Sequence, residues 1–127
     1  MIPTKLTKEN LSIATIWLFH VSGILGMLYG NSDWFISATP LNLLISFVLL
    51  LLNSKGHKWF FPMVFIAFLV GMISEILGVQ LGWIFGNYQY GEQLGIKLLG
   101  VPLMIGVNWA MLTIITGAIA HQFYENT

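Results

Sequence analysis

Residues 59–86 read WFFPMVFIAFLVGMISEILGVQLGWIFG, an apolar run whose only charged residue is Glu75. A helix needs roughly 20 residues to cross about 30 Å of hydrocarbon, so this run is long enough to span a bilayer. At 3.6 residues per turn, Gly71, Glu75, Gly78, Gly82 and Gly86 share one face, a groove of glycines broken by a single carboxyl. Glycines at four-residue spacing let another helix approach closely in lipid, which is a packing signal and not a catalytic one. Glu75 is different. It lies roughly 24 Å along its helix, and burial at that depth disfavours a bare charge, so the carboxyl is expected to be neutral or hydrogen-bonded. An intramembrane acid is read by default as functional. The competing reading is that Glu75 ties helices together through Gln80, Asn108 or a tyrosine hydroxyl.

Three further apolar blocks, 11–30, 34–53 and 102–122, make four expected spans and leave little chain for a soluble domain. The whole composition agrees: of 127 residues 57% are hydrophobic and 8% charged, with a mean hydropathy of +0.81, more than a soluble monomer of this size can hide. The expected fold is therefore all-α and polytopic, a single membrane domain. Five basic and five acidic residues cancel, so no basic field exists to hold nucleic acid. The absence of cysteine excludes disulfides, thiolate metal sites and cysteine nucleophiles. The first block follows Lys5 and Lys8 as a secretory signal would, but it is too long for one and carries the packing series Ser22, Gly26 and Gly30, so it is read as a retained span. Lys5, Lys8, Lys55 and Lys58 on one side against Lys97 on the other place both termini in the cytoplasm and the protein in the inner membrane.

In the second block Pro40 either opens a short helix, with Thr39 as its cap, or kinks a longer one; Asn42 and Ser46 are its only polar stripe, and the helix is expected to face lipid. Between the third and fourth blocks, four glycines and Pro102 argue for irregular backbone that hugs the membrane as a re-entrant or interfacial lid. Tyr88 and Tyr90 in this segment read either as interfacial anchors, the commoner role, or as phenols turned toward Glu75. The fourth block repeats a small-residue stripe, Gly106, Ala110, Thr113 and Gly117, which suits packing on the third. Asn108 falls on the opposite side of that stripe and needs cover from a second copy of the chain, another subunit or further helices. His20, His57 and His121 show no ligand spacing, so no metal is expected, and His20 is read as a hydrogen-bonded packing residue. Asp33, Glu92 and Glu125 are expected to be solvated.

The ordered set Glu75, Gly78, Gly82, Phe85-Gly86, Tyr88, Tyr90, Leu94-Gly95 and Gly100-Val101-Pro102-Leu103, followed by Trp109, resembles the core signature of the carotenoid biosynthesis protein family. Its characterised members include carotenoid 1,2-hydratases of the bisanhydrobacterioruberin hydratase type. The resemblance implies a polytopic helical enzyme that adds water to the terminal double bond of a carotenoid such as lycopene or gamma-carotene. It also implies further membrane helices with a second acidic Glu-Pro motif, so that residues 1–127 correspond to the N-terminal part of a longer architecture. The expected chemistry is proton donation by Glu75 to the end alkene, with water capturing the resulting tertiary cation. Trp83, Phe85, Tyr88, Tyr90 and Trp109 offer aromatic faces to the cation, Tyr88, Tyr90 or Asn108 would hold the water, and Gly78, Gly82, Gly86 and Pro102 would shape the polyene site. Adding water changes no oxidation state, so no cofactor is expected. Two other classes fit the residues: a non-catalytic subunit assembled through its glycine faces, and a small proton-coupled carrier built on the intramembrane acid.

Overall fold

The computed structural model describes residues 6–54 and 56–126; Lys5 and Lys55, used above for orientation, lie outside the described residues. The chain forms two compact units, Met1–Lys55 and Gly56–Thr127.

In the first unit, α1 spans Lys8–Tyr29, opened by the Thr7 hydroxyl accepting from Asn10 N–H at 3.1 Å. Asn31 caps the short α2 (Ser32–Ser37) in the same way, and α3 follows at Thr39–Leu52. The 34–53 block therefore does not make one span. Pro40 has no N–H to give to Ile36, and the chain turns at Ala38, between α2 and α3. Pro40 opens a short helix, but Thr39 is no cap: its hydroxyl lies inside α3 and donates back to Phe35 C=O at 3.3 Å. At 14 residues α3 rises only about 21 Å, short of a bilayer core. Its end is fastened to the start of α1, where Lys8 Nζ donates to Leu52 C=O at 2.6 Å and Asn53 Nδ2 to the buried Ser12 hydroxyl at 2.8 Å. The small-residue series of α1 receives a ring and not a helix, because a Cβ at Gly26 would collide with Phe35. His20 Nδ1 is 2.8 Å from Ile16 C=O, the packing role expected of it.

The second unit holds α4 (Phe60–Leu81) and α5 (Leu103–Glu125), joined by a segment with one two-residue hairpin. The third block does not stay helical to residue 86. Gly82 takes the left-handed conformation at φ 68° and caps α4, a geometry that strains any side chain, so Gly82 and Gly86 leave the glycine face and Trp83 and Phe85 leave the helix. The hairpin pairs β1 (Lys97–Leu98) with β2 (Val101–Pro102) through Leu99 and Gly100, both with positive φ. Val101 and Pro102 are fully buried against α4 and α5. The two helices pack where both are small: a Cβ on Gly106 would sit 2.6 Å from the Phe68 ring and 2.7 Å from Met72, and Ala110 is buried. The stripe on α5 is used only in this half, for Gly117 has open space around it.

Among the described residues three helices, α1, α4 and α5, are long and apolar enough to cross a membrane. The chain is thus a mostly helical integral membrane protein with three candidate spans in place of the four expected.

Candidate functional site

Glu75 is on α4, six residues before the helix ends, about 9 Å along the axis from Leu81. It is buried, at 8% exposure, at the end of α4 that the 82–102 segment covers. Its Oε2 accepts from the hydroxyls of Tyr88 and Tyr90, each at 2.8 Å, and its Oε1 accepts from the Trp109 indole N–H at 3.1 Å. The Tyr88 hydroxyl also lies 3.4 Å from the Glu75 backbone carbonyl. Three donors from two stretches of chain, loop positions 88 and 90 and α5, thus converge on one carboxyl.

The glycine face explains how they reach it. Gly71 and Gly78 stand one turn before and one turn after Glu75. A Cβ on Gly71 would collide with the Trp109 side chain, and one on Gly78 with the Tyr88 hydroxyl. The groove therefore admits two aromatic side chains beside the acid as well as a neighbouring helix. The rings brace each other edge to face: Tyr88 and Tyr90 have centroids 5.7 Å apart, and Phe85 meets Tyr88 at 6.1 Å.

Tyr88 and Tyr90 are thus turned toward Glu75, and the reading of them as interfacial anchors is corrected. Anchoring is the commoner role of such tyrosines, but a phenol beside a buried acceptor gains a hydrogen bond that an anchor does not need. Of the other residues singled out, Phe85 touches the cluster through Tyr88, while Trp83 is 75% exposed and a Cβ added at Gly86 would meet open space. Gly82 faces Asn87, and Pro102 is buried in the hairpin. Asn108 makes no bond to Glu75; its Oδ1 is buried without a hydrogen-bond partner. Gln80 donates instead to Leu99 C=O at 2.8 Å. Trp109 enters as a hydrogen-bond donor, a role its place in the signature did not indicate, and Gly71 as the residue that makes room for it.

Chemically, Trp109 can only donate, so Oε1 is fixed as an acceptor and any carboxyl proton resides on Oε2. A phenol accepts as well as it donates. Oε2 can therefore stand bare beneath two O–H donors, or carry the proton itself and give it to one of the two phenol oxygens. A groove of 380 Å³, lined by Val79, Asn87, Tyr88 and Gln89, opens beside Tyr88. The N-terminal unit has its own cavity, of 230 Å³ and lined by Phe19, Met27, Trp34 and Phe35 among others, with no titratable group in its wall.

Burial first, then the hydrogen bond to Glu75 and its charge, push the Tyr88 hydroxyl up to about 12 and Tyr90 up as well. A raised value means that the neutral phenol is the form the fold favours, so the contribution of Tyr88 to stability is complete below pH 10 and is lost as pH climbs toward 12. In a chain whose only remaining tyrosine is Tyr88, tyrosinate absorbance should first rise near pH 12. Adding Gly78→Ala, which pushes the hydroxyl off Glu75, should move that rise down toward pH 10. An unchanged titration would show that Gly78 does not seat Tyr88.

Comparison with curated proteins and with solved structures gives no match. The profile of the carotenoid biosynthesis proteins does match, over residues 35–127, a stretch that contains Glu75 and every donor on it. The chain therefore belongs to the carotenoid biosynthesis protein family.

Proposed function

We propose that the protein is a carotenoid hydratase, in which Glu75 protonates the terminal double bond of an acyclic or monocyclic polyene and water captures the cation. The observation that carries this reading is the buried carboxyl beneath two reversible phenols and one indole donor. The proton leaves Oε2 for the less substituted alkene carbon, and the positive charge falls on the tertiary carbon. Water adds there and returns its proton to the carboxylate, so Glu75 is restored and the net change is alkene plus water to tertiary alcohol. The ring faces of Tyr88 and Tyr90 stabilise a passing cation by roughly 0.5–2 kcal/mol each if they lie within about 6 Å of it. Water is held at Tyr88, where the groove with Asn87 and Gln89 opens, in place of Asn108. In this reading the substrate end arrives from the bilayer of the inner membrane, and Lys8 marks the start of α1 as cytoplasmic.

Membranes containing the protein, incubated with lycopene, should yield a more polar carotenoid heavier by one water. Recovery of unaltered lycopene from correctly folded protein would refute the reading. The same three bonds also join α4, α5 and the connecting segment, which supports a second reading as a non-catalytic subunit in which Glu75 fixes assembly.

A further inference from the structure

The two phenols are not held alike. Tyr88 is seated by its own surroundings: Gly78 beneath its hydroxyl, the Phe85 ring at its edge and two oxygens of Glu75. Tyr90 has the Tyr88 ring and its single bond to Glu75, and between Gly82 and Ile96 the backbone forms no helix or strand. What fixes the main chain at Tyr90 is Lys97, whose Nζ donates to the Tyr90 carbonyl at 2.8 Å and to Glu92 Oε1 at 2.8 Å. Lys97 is itself well anchored. It lies across the hairpin from Pro102, which is fully buried, and the next bond along runs from Leu103 N–H to Ile96 C=O at 2.9 Å. A continuous connection thus leads from the start of α5, which carries Trp109, through Lys97 to Tyr90 and so back to Glu75.

We propose that Lys97 is a positioning residue for this site: its ammonium, bound to the Tyr90 carbonyl, sets where the Tyr90 hydroxyl meets Glu75. Glu92 is only the outer counter-ion. Its side chain is 91% exposed, and an exposed ion pair contributes little, whereas the Lys97 side chain is 22% exposed and its bond to a main-chain carbonyl is the one that orders the loop. The activity consequence rests on the hydratase reading above; the geometric one does not.

The test places 3-fluorotyrosine at position 90, and separately at 88, and records fluorine NMR of the full chain in detergent without substrate. Lys97→Met is expected to move the Tyr90 resonance to the position it takes in Glu75→Leu while the Tyr88 resonance stays in place. Lys97→Arg should return the Tyr90 resonance, and Glu92→Gln should move neither. Lys97→Met should also lower hydration about 10- to 100-fold, a misplacement effect, and cause no further loss when added to Tyr90→Phe. A Tyr90 resonance unmoved by Lys97→Met overturns the proposal, as does joint movement of both resonances or an equal effect of Glu92→Gln. If the resonances behave as expected but the native protein forms no hydrated product, the hydratase reading fails and the positioning role stands.

Discussion

Glu75→Gln is expected to abolish hydrated carotenoid, lowering the rate by about 10²- to 10⁴-fold, while leaving the protein folded and in the membrane. The substitution separates chemistry from architecture because the network can repair itself around an amide. The Gln oxygen still accepts from the Trp109 indole, and the amide N–H groups can donate to Tyr88 and Tyr90, whose hydroxyls turn from donors to acceptors. What the amide cannot do is give up a proton to an alkene. Carotenoid profiles of a lycopene-producing host, read beside the amount of protein in its membranes, distinguish the two readings. Normal protein with no hydrated product supports the acid role. Loss of assembly in place of product supports the subunit reading, and normal product rules out Glu75 as the acid.

Gly71→Ala should be the most damaging single-methyl change in the second unit. The added Cβ would meet Cβ and Cγ of Trp109, and because that Cβ is fixed to the α5 backbone and moves with no rotamer change, α5 itself has to shift. Overpacking of this kind costs about 1–3 kcal/mol, and here it also draws the indole away from Glu75. Gly78→Ala meets the far end of Tyr88, which can swing aside, so its effect should fall on the site and spare stability. Thermal denaturation in detergent should therefore show a clearly lowered Tm for Gly71→Ala and a nearly native one for Gly78→Ala. Equal Tm values for the two would contradict the packing described.

Much of this was legible in the sequence, and the rest was hidden for physical reasons. Apolar length located α1, α4 and α5, because hydrocarbon thickness sets a minimum that few other helices reach. It failed for 34–53, where composition is as apolar as elsewhere but Pro40 and the turn at Ala38 divide the run. Glycine periodicity identified the face of α4 that matters, yet periodicity alone carries no information on where a helix ends: Gly82 keeps the spacing while adopting the backbone that stops it. Nor does a small residue say what fills the space above it. Gly26 and Gly71 receive aromatic side chains, Phe35 and Trp109, where a bare helix contact was the natural inference. Tyr88 and Tyr90 were visible as candidates, but their direction depends on a loop whose hairpin, Leu99 turn and Lys97 bond are tertiary facts. The family signature and the geometry meet in Glu75, Gly78, Tyr88, Tyr90 and Trp109.

Running the reaction in deuterium oxide with oxygen-labelled water shows whether a sheltered carboxyl delivers one proton to the alkene while water supplies the oxygen. The product should carry one non-exchangeable deuterium on the carbon beside the new alcohol and the labelled oxygen in its hydroxyl, and Glu75→Gln should give no such product. A hydroxyl without the water-derived label, or labelled product from Glu75→Gln at the native rate, would contradict that mechanism.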